Sequence, residues 1–423
     1  MIAFFELYGD FHQVPRVASN NNGLPYGYIC MNILYLAHRI PYPPNKGEKI
    51  RAWHQILHLA KNHAIHLVCM VDDPADLAHV SILEKYCASV TVVYRDKPST
   101  LFAAALALLT RQSLSVGAFY RPALAREIAR KLHTELCDVI VVSSAAMAEY
   151  VMHVSALPRI IDFVDVDSEK WRQYAQHHVM PLSWLYGLEA RRLAAYEAKI
   201  ARAFHHVVLI SPEEKRLFQQ RVCDRPIAVI SNGVDLDYFV PRSIGAASEL
   251  PPTLVFTGVM DYFPNVDAMQ YFCTDIFPLV RAAVPECRFS IVGRNPTRRV
   301  RALHSHPDVT VTGSVPDVRP YLSHATVAVA PFRIARGVQN KVLEAMATGL
   351  PVVGTTQAFE GIAATAEDGI RVADDPQHFA QELITLLTGN DTVRQQCGLR
   401  ARRYVEQHHQ WFEQGVKLER LFQ

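Results

Sequence analysis

The residues best suited to chemistry lie between positions 327 and 355, in the sequence VAVAPFRIARGVQNKVLEAMATGLPVVGT. The pattern predicts an apolar strand, a loop that runs to Gly337, and a helix over residues 338–348. The first amides of a helix have no partner within it, and with the helix dipole they attract phosphate groups. A glycine before them lets the chain approach a ligand closely. The sequence therefore predicts a diphosphate site formed by the backbone of Val338, Gln339 and Asn340.

Two charged side chains of the same predicted helix extend this site. Lys341 adds a positive charge beside the phosphates, and Glu344 is placed one turn further along to accept hydrogen bonds from two ribose hydroxyls. Glu344 lies within the small, apolar run LEAMA, where a surface role does not explain a carboxylate. The alternative interpretation is an ordinary buried helix that follows a glycine-containing loop.

Apolar strands alternating with helices must position these residues. The first half of the chain contains NILYLAH, AIHLVCMV, VTVVY, DVIVVSS, RIIDFV and HHVVLIS, and the second half contains TLVFTG, RFSIVG, VTVTG, TVAVAP and PVVGT. Strand followed by helix, repeated, is typical of parallel sheets with helices on both faces. Such sheets bind ligands outside the carboxyl ends of their strands. We therefore predict an α/β fold of two doubly wound, Rossmann-like domains that face a cleft.

The same patterns predict four segments. Residues 1–30 are expected to be an N-terminal extension, disordered or not native, because Met31 directly precedes the first strand; a genuine N-terminal arm is the alternative. Residues 31–240 form the first predicted domain and residues 241–408 the second, with a linker near Pro251 and Pro252. Residues 409–423 are expected to form a helix that crosses back to the first domain.

Composition excludes several classes of protein. The 423 residues include 43 Lys and Arg against 41 Asp and Glu, so no overall field attracts nucleic acid. The eight cysteines form no C-x-x-C pair, which argues against a zinc site or a disulfide scaffold and favours the cytoplasm. The strands lack a following G-x-G-x-x-G, and a Walker A motif is absent, which disfavours a dehydrogenase or a P-loop enzyme.

The segment EAMATGLPVV, with its preceding glycine loop, resembles the nucleotide-sugar site of glycosyltransferase family 4, the large retaining group with the two-domain GT-B fold. Four segments resemble the branch associated with the bacterial exosortase/PEP-CTERM exopolysaccharide system: GVMDYFPNVDA (258–268), PECRFSIVGRNP (285–296), VTGSVPDVRPYL (311–322) and RIARGVQNKVLEAMA (333–347). In the first half, YLAHRIPYPPNKGEKIRAW (35–53) and IIDFVDVDSEKWRQYA (160–175) agree with it. The resemblance covers nearly everything from Met31 onward.

The resemblance implies roles for residues on the donor side. Arg294 would neutralise the leaving diphosphate, since a guanidinium fork suits two phosphate oxygens; the alternative is a surface arginine in a basic run. The backbone of Gly313 and Val315 would contact the nucleotide base. Many relatives carry a glutamate where this chain has Arg336, so Arg336 would instead hold a phosphate or an acidic sugar. Asn265 is interpreted as a helix N-cap.

A proline-rich turn after the first strand, PYPPNKGEKIR, provides the expected acceptor side. Gly47 begins a helix there, with Lys46, Lys49 and Arg51 around it, and this helix start would steady the leaving phosphate. A capped helix with solvated lysines is the alternative. His38, at the end of the first strand, is expected to line the cleft.

The string DFVDVDSEKW places Asp162, Asp165 and Asp167 at a further strand end. Many relatives have a histidine near this point, and the string has none. Asp165 is expected to act in catalysis, by stabilising positive charge on the sugar ring or by accepting the acceptor's proton, with Asp167 on the acceptor side. The alternative is that Asp167 or Ser168 caps the following helix.

Together these features predict a retaining hexosyltransferase that moves a sugar from a nucleoside diphosphate to an exopolysaccharide or lipid-linked oligosaccharide. Its expected catalytic residues are Asp165, Arg294 and Glu344. We expect neither a metal ion nor a cofactor besides the donor, because the helix start at 337–341, Arg294 and the Gly47 loop would neutralise the charge of the leaving diphosphate. A GT-B nucleotide-sugar epimerase or hydrolase, and an inactive nucleotide-sugar-binding subunit, are the alternatives.

The longest apolar run, LFAAALALL (101–109), is far shorter than the ~20 residues of a membrane-spanning helix. We predict a core helix here. The alternative is a peripheral contact with the inner membrane, because arginines follow the run at positions 111, 121, 126 and 130.

Overall fold

The computed structural model describes residues 30–241 and 251–422. These residues form two compact units. The N-terminal unit comprises residues 30–231 and 411–422, and the C-terminal unit comprises residues 232–241 and 251–410. The chain thus changes unit at Ser231 and again at Trp411, whereas the sequence places these changes near 240 and 408. Residues 1–29 of the predicted extension and residues 242–250 of the predicted linker lie outside the described residues.

The N-terminal unit is built on a seven-stranded parallel sheet in the order β3-β2-β1-β4-β5-β6-β7. Its strands are β1 Asn32–Ala37, β2 Ala64–Val71, β3 Ser89–Tyr94, β4 Val139–Ser143, β5 Arg159–Val164, β6 His206–Leu209 and β7 Ala228–Val229. Its first helices are α1 Gly47–Leu59, α2 Val80–Leu83, α3 Lys97–Leu109, α4 Leu114–Phe119, α5 Pro122–Thr134, α6 Ala145–Ala148, α7 Asp167–His177, α8 Leu182–Ala203 and α9 Pro212–Arg221. Two apolar clusters cover the sheet, with Leu34 and Leu36 in one and Ile33 and Tyr35 in the other.

The C-terminal unit contains a six-stranded parallel sheet in the order β10-β9-β8-β11-β12-β13. Its strands are β8 Thr253–Thr257, β9 Arg288–Val292, β10 Val309–Val311, β11 Val327–Ala330, β12 Val352–Gly354 and β13 Ile370–Val372. Its helices are α10 Phe263–Tyr271, α11 Phe277–Ala283, α12 Arg298–Ala302, α13 Arg319–His324, α14 Asn340–Ala347, α15 Pro376–Thr388 and α16 Asp391–His408. Phe272 and Phe289 pack in its core with ring centroids 4.6 Å apart.

Both sheets follow the doubly wound order in which the first strand of the chain lies between the second and the fourth. The predicted α/β class with two Rossmann-like domains is confirmed. The short strands β7 and β13 were not predicted. β7 contains only two residues, and the charged Arg371 interrupts the apolar pattern of β13.

The last helix, α17 Trp411–Glu419, belongs to the N-terminal unit and packs on α1. Trp411 stacks on His54 with ring centroids 4.5 Å apart. Gly415 is required at the crossing, because a Cβ there would lie 2.2 Å from Cγ of His58. Glu419 pairs with His58 at 3.2 Å and with His63 at 2.8 Å.

Helix α3 contains the apolar run 101–109 and differs from the core helix that the sequence predicts. Ala107 is buried against α4, whereas Leu106 and Leu108 are exposed and Leu109 is 81% exposed. The prediction was wrong because composition alone cannot show which face of an apolar helix finds a partner. Among residues 30–241 and 251–422, none of the helices is both long and apolar enough to cross a bilayer.

Candidate functional site

The candidate donor site lies at the carboxyl ends of β8 and β11, two neighbouring strands of the C-terminal sheet. From β8 the chain proceeds to β9 on one side, and from β11 it proceeds to β12 on the other. Loops diverge at such a point and leave a crevice for ligands. The loop after β11 enters α14, so the strand order itself brings the start of α14 to this crevice.

Glycines at the neighbouring strand ends keep this region compact. A Cβ on Gly258, just after β8, would lie 3.0 Å from the Lys341 Nζ and 2.9 Å from the Asn265 amide nitrogen. A Cβ on Gly293, just after β9, would lie 1.6 Å from the carbonyl oxygen of Gly258. A larger residue at 293 would push the strand-end loops apart, whereas one at 258 would displace the ends of the Lys341 and Asn265 side chains.

Helix α14 begins at Asn340, two positions later than the sequence predicts, because Gln339 is extended (φ −82°, ψ 97°) and is the N-cap. Gly337 has φ +63°, a conformation that favours glycine. Val338 is buried, and the side chain of Gln339 donates a hydrogen bond to the Arg336 carbonyl at 2.9 Å. No side chain of the described residues caps the first turn of α14.

Lys341 points from α14 into a largely apolar environment. Its Nζ donates a 2.7 Å hydrogen bond to Oδ1 of Asn265 and lies over the rings of Phe256 and Phe332, at 4.8 and 4.9 Å from their centroids. Burial lowers the pKa of Lys341 to about 7, an effect that the charge of Glu344 opposes. The amine is thus poised to change its charge near neutral pH.

Glu344 follows Lys341 by one turn and is only partly exposed. Burial raises the pKa of Glu344 to about 7, although Lys341 acts in the opposite direction. A carboxylate held away from bulk water gains most from hydrogen-bond donors supplied by a ligand, such as sugar hydroxyls.

Arg336 lies in the loop before α14, with its side chain 16% exposed. Its guanidinium is 3.6 Å from the carboxylate of Glu360, which lies beyond β12. The position that the resemblance associates with a carboxylate is therefore basic here, and an acidic side chain from another loop lies next to it.

The remaining donor-side residues lie at the ends of β9 and β10. Arg294 follows β9, and its carbonyl accepts a 2.8 Å hydrogen bond from the amide of Met260. Gly313 follows β10 with φ +71°, and Val315 lies in the same turn, partly buried. The C-terminal unit therefore presents every predicted donor-side residue, apart from Gly47, on loops that follow its parallel strands or at the start of α14.

In the N-terminal unit, His38 directly follows β1 and its ring contacts Phe119 edge-on at 5.5 Å. Burial and the neighbouring Arg39 lower the pKa of His38 to about 4. Beside it, Asp72 after β2 bonds to both Arg39 (2.8 Å) and Arg95 (2.7 Å). The carboxyl ends of β1, β2 and β3 thus share a charged cluster.

Lys46 and Gly47 are exposed at the start of α1, and α1 has no side-chain cap. The capped-helix alternative is therefore wrong for this turn. The other two predicted cations form ion pairs. Lys49 is buried and pairs with Asp76 at 2.9 Å. Arg51 is also buried and pairs with Asp162 at 2.7 Å. Of the three cations, Lys46 is the one with an exposed side chain.

Of the three aspartates at the end of β5, Asp162 is fully buried and bonds to Arg51 and Gln55, which makes it structural. Asp165 follows the strand and is partly buried. Asp167 is the first residue of α7, where burial raises its pKa. Neither Asp167 nor Ser168 caps α7, because Val166 is the N-cap and the Ser168 hydroxyl bonds to Glu197.

Residues 251–389 match the family model described as "Glycosyl transferases group 1". This segment is less than half of the chain. It includes β8–β13 and α14, and therefore the whole candidate donor site. Comparison with curated proteins gives no match to the chain.

The structure of the chain is similar to solved GT-B structures at low sequence identity. Sucrose-phosphate synthase from Thermosynechococcus elongatus is 15% identical, with TM-score 0.69 over 93% of this chain and 98% of that one. Anabaena Alr3699/HepE in complex with UDP and glucose is 14% identical, with TM-score 0.64 over 92% and 98%. WaaG, a glycosyltransferase involved in lipopolysaccharide biosynthesis, is 16% identical, with TM-score 0.62 over 92% and 99%. The chain has the GT-B fold.

Sequence reasoning missed two contacts of the C-terminal unit. Asn265 is not the N-cap of α10, which is Tyr262; it holds the Lys341 ammonium and donates to the carbonyl of Val259 at 2.8 Å. Asn232 donates a 2.7 Å hydrogen bond to Asn340, the first residue of α14. These pairs are 76 and 108 residues apart, so no local pattern signals them.

Within residues 30–241 and 251–422, no group of three or more His, Cys, Asp or Glu side chains is arranged to hold a metal ion.

Proposed function

We propose that the protein is a retaining glycosyltransferase that moves a sugar from a nucleoside-diphosphate donor to a saccharide or lipid-linked acceptor. The observation that supports this most is the start of α14: a helix without a side-chain cap, carrying Lys341 and Glu344, at the crevice of the C-terminal sheet. Amides and a dipole at that place suit a diphosphate. The group 1 glycosyl transferase domain around it adds independent support.

The proposed donor is a nucleotide sugar. Amides of α14, Lys341 and Arg294 bind the diphosphate, Glu344 accepts hydrogen bonds from ribose, and the turn at Gly313 and Val315 contacts the base. A similar fold was solved with UDP-glucose bound, in Anabaena Alr3699/HepE. Arg336 near Glu360 replaces the usual carboxylate and makes an acidic donor sugar a reasonable choice to test.

In the proposed reaction the bond between the anomeric carbon and the phosphate oxygen breaks, and a bond to the acceptor hydroxyl forms on the same face. The acceptor's proton passes to the departing phosphate. The cations bind the developing negative charge, so that we propose no metal requirement. Asp165, together with Asp167 and His38, acts on the acceptor side.

The resemblance to the exosortase-associated branch suggests an exopolysaccharide acceptor in a bacterial cytoplasm. The eight cysteines, which are all free, are compatible with a reducing compartment.

The test measures release of nucleoside diphosphate from a panel of nucleotide sugars, with and without a lipid-linked acceptor, in the presence of EDTA. Acceptor-dependent release is expected. Donor conversion without acceptor would indicate an epimerase or hydrolase, and binding without turnover an inactive binding subunit. Activity lost in EDTA and restored by a divalent ion would contradict the metal-independent mechanism.

Glu344→Gln tests the donor site directly. Loss of two hydrogen bonds to a charged acceptor should weaken donor affinity roughly 10- to 100-fold, as measured by calorimetry. Glu286→Gln, at an exposed position of the same unit, is the matched control and should leave the affinity unchanged. An unchanged dissociation constant in Glu344→Gln would remove Glu344 from the site.

A further inference from the structure

Two exposed apolar segments of the N-terminal unit have no covering element in the part of the chain that the structure describes. The first is the outer face of α3, where Leu106 is 50% and Leu109 is 81% exposed. The opposite face of α3 is used for packing: Gly117 of α4 approaches Ala107 so closely that a Cβ at 117 would lie 2.5 Å away. The helix is therefore held by one apolar face while another apolar face remains in solvent.

The second segment comprises the end of the connection between α7 and α8 and the first residues of α8, with the sequence VMPLSW (179–184). Val179 is 83% exposed, Met180 69% and Trp184 55%. Behind this tip, Tyr186 packs against Trp171 and His178, with ring centroids 5.3 and 5.1 Å apart. Well-packed aromatic residues thus hold a group of exposed apolar side chains in place. Solvent-facing loops usually lack such a group of exposed apolar side chains.

Helix α8 joins the two segments. Glu189 of α8 accepts hydrogen bonds from the Ser113 hydroxyl and the Leu114 amide, both at 2.7 Å. Arg192 donates to the carbonyl of Leu108 in the last turn of α3 and to the carbonyl of Gln112 just after it. Trp184 precedes Glu189 by five residues, about 8 Å along the helix axis. The tip and the end of α3 are therefore near neighbours in the same unit.

The charged residues that flank these segments in the sequence are basic. Between Asp96 and Glu127 the sequence has four basic residues and no acidic one, and between Glu169 and Glu189 it has Lys170 and Arg172 and no acidic one. Arg111 and Arg191 are exposed beside the apolar side chains. An apolar surface bordered by arginines, with a tryptophan at its tip, complements a bilayer that carries anionic headgroups.

We propose that residues 106–109 and 179–184 form one surface that inserts shallowly into an anionic phospholipid membrane. The leucines, Met180 and Trp184 enter the boundary between headgroups and acyl chains, and Arg111 and Arg191 bind lipid phosphates. This surface holds the N-terminal unit at the membrane without a spanning helix. The proposal does not depend on sugar transfer, and its test needs no substrate.

The experiment is flotation of the full-length protein with vesicles of phosphatidylcholine, alone or mixed with phosphatidylglycerol, at low and high salt. The protein should float with the mixed vesicles at low salt, and less with phosphatidylcholine alone or at high salt. The emission of Trp184 should shift to shorter wavelength on binding. Failure to float with the anionic vesicles would overturn the proposal.

Matched variants locate the surface. Leu106→Gln/Leu109→Gln and Met180→Gln/Trp184→Gln should each lower the vesicle partition coefficient about tenfold or more, because each removes apolar area from the bound state. Arg111→Gln/Arg191→Gln should remove the dependence on anionic lipid. Since these positions are exposed, melting temperatures should not change.

Control variants distinguish membrane binding by this surface from nonspecific adsorption to vesicles and from self-association of the protein. Leu136→Gln, at an 88% exposed leucine outside both segments, and Arg403→Gln, at an exposed arginine of the other unit, should float like the wild type. Equal losses in the controls would contradict the proposal. So would a dimer, measured by light scattering, that the glutamine variants convert to monomer while vesicle binding stays intact.

Discussion

Lys341 shows how a single side chain can couple the candidate donor site to pH. Its ammonium is surrounded by two phenylalanine rings and one amide oxygen, and its pKa is lowered by burial to about 7. Without a ligand it is largely neutral above pH 7. A diphosphate brought next to it would stabilise the charged form and raise the pKa again.

The contribution of Lys341 to donor affinity should therefore be largest below pH 7 and fall as the pH rises through the pKa of Lys341 in the free protein. Lys341→Met should weaken the binding of a nucleotide sugar roughly tenfold at pH 6, since it removes one charge-assisted hydrogen bond. The variant should also lose the part of the pH dependence that Lys341 causes. Calorimetric titrations at pH 6 and pH 9 measure both effects.

The difference between wild type and variant isolates Lys341 from Glu344, which titrates in the same range and is present in both proteins. Methionine keeps the contact with the rings of Phe256 and Phe332, and a thermal melt checks that the fold is retained. Parallel pH profiles for the two proteins would show that Lys341 does not bind the diphosphate.

The packing of helix α17 on α1 depends on the glycine at position 415. Gly415 brings α17 against His58 of α1, and Gly415→Ala would force these helices apart, because the new methyl group would lie 2.2 Å from the imidazole. We expect a loss of about 1–3 kcal/mol in the free energy of unfolding, as for other overpacked contacts. Urea denaturation measures this value.

Gly187→Ala is the matched control on α8, where no atom lies within 4 Å of the new Cβ. Alanine is the better helix former, so this variant should gain roughly 0.5–1 kcal/mol. Equal stability changes in both variants would mean that α17 adapts to a Cβ at 415 and that the close crossing is not required.

The sequence predicts the helices and strands of this protein better than the contacts that their side chains make. Long apolar strands such as β1, β2 and β4 are buried on both faces, and their continuous Val, Ile and Leu runs are a direct consequence. Glu344 was singled out because a carboxylate is unusual on an apolar face, and its role in donor binding stays a prediction. Lys49 and Arg51 were misplaced, since their partners Asp76 and Asp162 lie 27 and 111 residues away. The exposure of α3 was missed because composition alone does not show which face of an apolar helix finds a packing partner.

At the scale of the whole molecule, the chain crosses between its units at Ser231 and at Trp411. Each unit has its own parallel sheet and its own core. Ligand binding stabilises the part of a protein that holds the ligand, and at 100 times the dissociation constant the gain is about 2.7 kcal/mol.

A nucleotide sugar should therefore protect the C-terminal unit more than the N-terminal one from amide hydrogen exchange. The strongest protection is expected at α14 and at the preceding loop, because the amides of 338–341 would bind phosphate oxygens that replace water. Hydrogen-exchange mass spectrometry of the full chain, with and without the tightest binder of the donor panel, measures this. Glu344→Gln at the same ligand concentration should lose most of the protection, since its site would be only partly occupied. Protection confined to the N-terminal unit would place the nucleotide elsewhere and remove the main support for donor binding at α14.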